Sequence, residues 1–187
     1  MERSQAKFFA TEVLAVFLKL NTRKSRASLS KEAGLGEGSI RTILNILKHK
    51  NLIESNRKGH IHSQAGAKAY SAIRAAFSVS ATDVIKGAYC IHVKPPLKEQ
   101  KSYKLRDIAA RWGAEGAIIL KCLNGQLVMP PSKEVDYEED FSALLPKVSE
   151  GDYLILVWGA SAADMLSAGL AIASELSAVI GAFSTKL

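Results

Sequence analysis

The side chains best suited to binding chemistry lie on one face of residues 37–49. Apolar residues recur there at helical spacing, which predicts a helix with one buried face formed by Ile40, Ile43, Leu44 and Leu47. The opposite face carries cationic, hydroxyl and amide groups, which can hydrogen-bond base edges and phosphates. These candidate DNA contacts are Ser39, Arg41, Thr42, Asn45 and Lys48. The alternative interpretation is that they are ordinary solvated residues.

A second candidate contact lies at a predicted hairpin turn. Residues 52–55 and 60–63 can pair as strands around residues 56–59, where Asn and Gly supply the turn chemistry. The turn carries two adjacent cations, Arg57 and Lys58. Such a tip can meet phosphates or enter a minor groove, where A·T-rich sequence strengthens the negative potential. The alternative is a solvated turn.

Two glycine-containing turns offer a candidate ligand pocket in the C-terminal half. Free amides at a helix N-terminus favour anions, glycines allow close approach, and an indole ring can stack on a flat ligand. The candidate pocket residues are Trp112, Gly113, Gly116, Trp158, Gly159 and Ser161. A packing interpretation competes with this one, because Ser161 can cap the following helix and both tryptophans can belong to the core.

Other site chemistry finds little support in the residue spacing. His60 and His62 alternate on one predicted strand, but no Cys or third His stands nearby at ligand spacing. The acidic residues at 134–140 lack the spacing of a calcium loop. Cys90 and Cys122 lie in apolar runs that suit reduced, buried thiols. No arrangement of catalytic residues can be assembled from spacing, so we expect no cofactor, no metal and no enzymatic activity.

The elements around the first two candidates form a recognisable order. The sequence predicts a helix at residues 5–20, a basic linker at 21–26, a second helix at 28–33 and a Gly-rich turn at 34–36. The helix at 37–49, the hairpin and a further helix from residue 65 come next. That order is typical of a winged helix-turn-helix, in which the second helix of the motif usually lies in the DNA major groove. The first helix is apolar over more than one stripe, and a homodimer partner, the C-terminal domain or its own fold could cover it.

Charge is distributed unevenly along the chain. Residues 1–80 hold 14 Lys and Arg against five Asp and Glu, whereas residues 81–187 hold 11 against 13, within a net charge of +7. A basic excess confined to one half is the footprint expected where cations neutralise phosphates. Together with the helix order, it favours nucleic-acid binding.

The stretch R-x-S-L-S-K-E-A-G-L-G-E-G-S-I-R-T-I-L-N-I-L-K, followed by L-I-E-S-N-R-K-G-H-I-H, resembles winged-helix transcriptional regulators of archaeal type. This resemblance covers roughly the first 77 residues. It implies DNA binding through Arg41, Thr42, Asn45, Arg57 and Lys58, and it brings no catalytic residue. The segments D-I-A-A-R-W-G-A-E-G-A-I-I-L and D-Y-L-I-L-V-W-G-A-S are similar to a small C-terminal domain of unknown function carried by such proteins.

The second half predicts alternating strands and helices. Strands are expected at residues 87–93, 117–123, 126–129 and 153–158, and helices at 102–112, near 141–145 and at 162–183. With a linker at residues 78–82, the predicted domains are 1–80 and 81–187. The fold class is α+β: an N-terminal winged helix-turn-helix followed by a small α/β-layer domain with a mixed or antiparallel sheet of about four strands.

The chain is therefore expected to be a cytoplasmic, DNA-binding transcriptional regulator. It starts without a secretory signal pattern, and Glu175 interrupts its most apolar segment, so no membrane association is expected. The expected partners are double-stranded DNA, a second copy of the chain as a homodimer, and a small-molecule effector. Two alternatives stay open: a winged-helix module that binds protein or structured RNA, and a small-molecule-binding C-terminal domain that controls the N-terminal one.

Overall fold

The computed structural model describes residues 2–95, 97–130 and 141–186, with side chains described from residue 10 to residue 185 of these ranges. The chain divides into two compact units. Met1–Arg74 and Ala182–Leu187 form the first, and Ala75–Gly181 form the second. The division thus falls a few residues before the boundary near 80 that the sequence predicts. The reason is that the predicted linker at 78–82 is part of a strand in the second unit.

The N-terminal unit contains four helices and a hairpin within its described residues. They are α1 (Glu2–Lys19), α2 (Arg26–Ala33), α3 (Glu37–His49), β1 (Ile53–Asn56), β2 (Gly59–His62) and α4 (Gln64–Ala76). The predicted bounds of α3 are confirmed. The Ser25 hydroxyl accepts a hydrogen bond from the Ser28 amide at 3.1 Å and starts α2, and Gly34 ends it with φ of 67°.

The core of this unit explains why α1 is apolar around its circumference. Val13, Leu14, Val16 and Phe17 are completely buried within the single chain. The Phe17 ring lies 4.5 Å from the His62 ring and 4.8 Å from the ring of Phe183, which belongs to the C-terminal segment of the same unit. The same chain therefore covers this part of α1.

A third backbone segment extends the hairpin. Strands β1 and β2 pair antiparallel, with Asn56 opposite Gly59 at the turn. The Lys24 amide donates to the His60 carbonyl at 2.9 Å, and the His60 amide donates to the Lys24 carbonyl at 2.8 Å. Gly59 has φ of 124°, and a Cβ there would lie 2.5 Å from the Lys24 carbonyl oxygen. The predicted linker at 21–26 thus forms an isolated β-bridge through Lys24, and its close approach requires glycine at position 59.

The second unit is built on one antiparallel sheet of five strands. The strands are β3 (Phe77–Thr82), β4 (Ala88–Val93), β5 (Gly116–Leu123), β6 (Gln126–Val128) and β7 (Tyr153–Trp158), in the order β3-β4-β7-β5-β6. The sheet has five strands where about four were predicted, because β3, in the predicted linker, pairs along its whole length with β4. An α+β fold with an antiparallel sheet is confirmed.

The helices of this unit are α5 (Ser102–Arg111), a 3-10 helix (Ser142–Lys147), α6 (Ala162–Leu176) and α7 (Ala178–Lys186), of which α7 continues into the first unit. The single helix predicted at 162–183 is two helices. Ser177 separates them because its backbone is extended and its hydroxyl accepts from the Ile180 amide at 3.4 Å. No helix among the described residues is both long and apolar enough to cross a membrane.

The sheet buries apolar side chains on both faces. Helix α6 lies against one face so closely that a Cβ at Gly169 would meet Ile91 of β4 at 2.6 Å. The other face of the sheet carries Cys90, Leu120 and Leu156. These residues join an apolar cluster with Leu144 of the 3-10 helix and Phe141, which directly precedes that helix. The acidic residues weighed as a cation site, at 134–140, lie outside the described residues.

Candidate functional site

Helix α3 has one buried and one exposed face. Ile40, Ile43 and Leu47 are 0% exposed and Leu44 is 4% exposed, which fixes the rotation of the helix in its unit. All five predicted contact residues are exposed: Ser39, Arg41, Thr42, Asn45 and Lys48. The structure therefore brings them together on one accessible surface, which we call the α3 face.

Open space adjoins the two glycines at the start of α3. A Cβ at Gly36 or Gly38 would meet no atom within 4 Å. The Thr42 hydroxyl donates to the Gly38 carbonyl at 3.2 Å. The hydroxyl hydrogen of Thr42 is therefore used within α3, but the hydroxyl oxygen can still accept a hydrogen bond from a ligand.

The hairpin tip carries the other two residues that the sequence predicts as DNA contacts. Arg57 and Lys58 are exposed at the turn between β1 and β2. The Asn56 side-chain oxygen accepts from the Lys58 amide at 2.8 Å and thereby fixes the turn. The two cations thus project from an ordered backbone.

Two further cations contact the hairpin and the start of α3, respectively, and the sequence interpretation did not select them as binding residues. Arg23 donates from Nη1 to the Gly59 carbonyl at 3.2 Å. The Arg26 Nε atom lies 3.9 Å from a carboxylate oxygen of Glu37 at the start of α3. The sequence shows that segment 21–26 is basic. It does not show that this segment lies at the hairpin, because that position depends on the pairing of Lys24 with the distant His60.

The two histidines of β2 have separate environments. His60 Nδ1 lies 2.7 Å from the Ser55 hydroxyl oxygen, and His62 Nε2 lies 2.9 Å from the Phe17 carbonyl oxygen. Burial, followed by the charges of Arg26, Lys48 and Arg23, lowers the pKa of His60. Burial also lowers the pKa of His62. Within the described part of the chain, no three His, Cys, Asp or Glu residues group as metal ligands.

The predicted pocket residues of the second unit do come together. Gly116 of β5 is paired with Trp158 of β7, and the Glu115 amide donates to the Trp158 carbonyl at 2.9 Å. A Cβ at Gly116 would lie 2.1 Å from the indole carbon Cζ2 of Trp158. The glycine is therefore needed to pack this indole ring.

The remaining pocket residues also have local contacts. The Ser161 hydroxyl accepts from the Asp164 amide at 3.1 Å and donates to Oδ2 of the same residue at 2.7 Å, which caps α6. Gly113 has φ of 84°, and a Cβ there would lie 3.3 Å from the Asp164 carboxyl carbon. Trp112 follows α5 directly, and Gly159 follows β7. These contacts give the glycines and Ser161 packing roles, and ligand binding there stays a prediction.

A buried contact between His92 and Asp152 and two buried thiols were not assigned binding roles in the sequence analysis. His92 Nε2 lies 2.7 Å from Oδ2 of Asp152, which is 3% exposed and also accepts from the Ser149 amide at 2.9 Å. This pair ties β4 to the turn before β7. Burial raises the pKa of Cys90 to about 11, and burial also raises the pKa of Cys122, so both thiols are poor nucleophiles.

Comparison with known proteins places the chain among archaeal relatives. Residues 10–68 match the model described as "PH0730-like, N-terminal domain". The solved structure of "Hypothetical protein PH0730 from Pyrococcus horikoshii OT3" is 30% identical, with a TM-score of 0.71, and the match covers 88% of this chain and 90% of that one. The chain belongs to the PH0730-like family. Residues 84–176 match a domain of unknown function, DUF4443. A comparison with curated proteins gave no significant match.

Proposed function

We propose that this member of the PH0730-like family is a DNA-binding transcriptional regulator whose N-terminal unit acts as a winged helix-turn-helix. In this proposal α3 (Glu37–His49) enters the major groove, and the hairpin tip at residues 56–60 contacts the backbone or the minor groove. The observation that carries the proposal is the α3 face, where five polar or cationic side chains are exposed on a helix whose other side is buried.

The size and charge of the unit support this role. A helix of 13 residues is about 20 Å long, and a major groove about 12 Å wide admits a helix. Arg41 and Asn45 carry the groups that pair with guanine and adenine edges. The hairpin tip adds two cations for phosphates, within a half of the chain that holds 14 Lys and Arg against five Asp and Glu.

The second unit is proposed to form a homodimer and to bind a small-molecule effector. A dimer would present two α3 helices to half-sites about 34 Å apart, so a palindromic operator is expected. We place this regulator in the cytoplasm, where its DNA would be, and assign it no catalytic reaction. Sedimentation equilibrium tests the dimer, and thermal shift against a metabolite panel tests the effector.

Selection of bound fragments from a random duplex library tests the proposed function. The full chain is expected to enrich a palindrome and to bind it more tightly than a scrambled duplex across a salt series. Salt-sensitive binding without enrichment would contradict a sequence-specific regulator and favour nonspecific DNA or RNA binding. Absence of binding at low salt, with capture of a protein instead, would favour a protein-binding winged helix.

A further inference from the structure

The five-stranded sheet of the second unit has two edges, and the two edges differ. At one edge β6 is three residues long, and Pro130 follows it two positions later. At the other edge β3 pairs with β4 over all six of its residues and has no bulge. Natural proteins protect an exposed edge with a short strand, a bulge, a proline or a charged side chain. Strand β6 is short, whereas β3 has none of these features.

The backbone bonds to β4 show which groups of β3 point away from the sheet. The Lys94 amide donates to the Ala76 carbonyl at 2.8 Å, in the register of the β3–β4 pairing. Hydrogen-bonded pairs alternate along an antiparallel ladder, so Ser80 bonds to β4 while the amides and carbonyls of Val79 and Ala81 face outwards. Among the described residues, nothing bonds to these outward groups of Val79 and Ala81. The edge therefore offers free donors and acceptors to another strand.

The side chains of β3 suit pairing with an identical strand. Ser78, Ser80 and Thr82 lie on one face of the sheet, and Val79 and Ala81 lie on the other. In an antiparallel pair with its two-fold axis at Ser80, this residue faces its own copy, and Ser78 faces Thr82 of the second copy. Each hydroxyl can donate and accept, and the Thr82 hydroxyl, which already accepts one backbone hydrogen bond, keeps its hydrogen to donate. On the opposite face the larger Val79 meets the smaller Ala81.

The charge of this surface also favours a second copy of the chain over a charged peptide. No residue of β3 is charged, and residues 81–187 hold 11 Lys and Arg against 13 Asp and Glu. Like charges directly opposite each other destabilise a strand pair, and a strand that pairs with its own copy doubles any charge it carries. The neutral β3 avoids this repulsion. An acidic or basic peptide would find no complementary charge along the strand.

We propose that β3 forms the dimer interface, in which two copies of the chain pair antiparallel along residues 78–82 with the two-fold axis at Ser80. The inference rests on the proposed function, because it gives a surface to the homodimer assigned there to the second unit. The outward groups of Val79 in each copy bond those of Ala81 in the other, and the two sheets join into one. A register centred on Val79 would instead need the backbone of Phe77, which directly follows α4 and is 2% exposed.

A proline at position 81 tests the backbone contact. Ala81→Pro removes an amide hydrogen that faces away from β4, so each copy keeps the bonds of its own sheet. Sedimentation equilibrium of the full chain should show a wild-type dimer and a dissociation constant about tenfold or more higher for Ala81→Pro, because a hydrogen bond is lost on each side of the axis. Circular dichroism should show that the variant is folded. A folded variant with an unchanged dissociation constant would overturn the interface while leaving the homodimer to another surface.

A charge swap at position 80 tests the axis and does not depend on a tolerated proline. Ser80→Lys and Ser80→Glu each place like charges opposite each other, so each should weaken the dimer about fivefold or more. An equimolar mixture should recover the dimer, because opposite charges then meet at the axis. Ala110→Lys and Ala110→Glu, at an exposed position of α5 in the same unit, are the matched controls and should leave the dimer unchanged. A mixture that stays dissociated, or an equal loss in the controls, would overturn pairing at Ser80.

The state of the wild-type chain separates this inference from DNA binding. A chain that stays monomeric at about 100 μM would overturn both the interface and the proposed homodimer. The duplex selection then decides DNA binding on its own, because a monomeric regulator would enrich a single half-site in place of a palindrome.

Discussion

The hairpin tip offers a quantitative test of the proposed DNA contact. Arg57 and Lys58 are exposed at a turn that the Asn56 side chain fixes, so replacing both with Gln should leave the fold intact. Each neutralised phosphate contributes about 0.9 to the slope of log affinity against log salt. If both side chains contact phosphates, the double variant should lower that slope by about 1.8.

This change in slope is large enough to measure by fluorescence anisotropy with a labelled duplex. When salt rises from about 50 mM to about 200 mM, the affinity of both proteins for the duplex should fall. The fold-loss of the wild type should be about twelve times the fold-loss of Arg57→Gln/Lys58→Gln. The matched control is Lys86→Gln/Lys104→Gln, which removes the same charge from exposed positions of the second unit. A slope unchanged in the tip variant, or lowered equally in the control, would refute a phosphate contact by the hairpin.

Three further variants and one native thiol probe the account in other ways. Arg41→Ala should cost about 1–3 kcal/mol on a selected duplex and less on random DNA in anisotropy titrations, and equal losses would leave Arg41 only a phosphate contact. Gly66→Ala should destabilise the N-terminal unit by about 2 kcal/mol or more in denaturant unfolding, because its Cβ would lie 1.8 Å from the Leu52 carbonyl oxygen. Gly38→Ala, at an open helical position, should instead be neutral or stabilising by up to about 1 kcal/mol, and similar losses in both would contradict the packing argument. Because burial raises the pKa of Cys90 to about 11, alkylation followed by mass spectrometry should be far slower in the folded protein than in denaturant, and equal rates would show that the thiol is accessible.

The sequence predicts best those elements whose signals are local. Helix α3 has a Gly-rich turn before it and four apolar residues at helical spacing, so both of its bounds follow from the residues themselves. The exposure of Arg41 and Asn45 follows from the same periodicity. The hairpin was predictable because Asn56 and Gly59 mark its turn.

Features that depend on distant partners were not predictable. Strand β3 carries small and polar residues at 78–82, and only its pairing with β4 makes it a strand. Arg23 gains its place beside the hairpin from the pairing of Lys24 with His60, which are 36 residues apart in the chain. The break at Ser177 interrupts an apolar run that shows no Gly or Pro at that point. Tertiary contacts act at all three places, since Ser177 also forms an isolated antiparallel bridge with Leu97.

Photocrosslinking from the α3 face tests the central claim most directly. Asn45→Cys, which is exposed in the middle of α3, would carry a thiol-linked aryl azide, since the native Cys90 and Cys122 are buried. The same label on Lys104→Cys in the second unit is the control. The account predicts crosslinks to the bases of a selected duplex from position 45 and few from position 104. A duplex that binds the full chain but crosslinks equally from both positions, or from neither, would contradict recognition by α3.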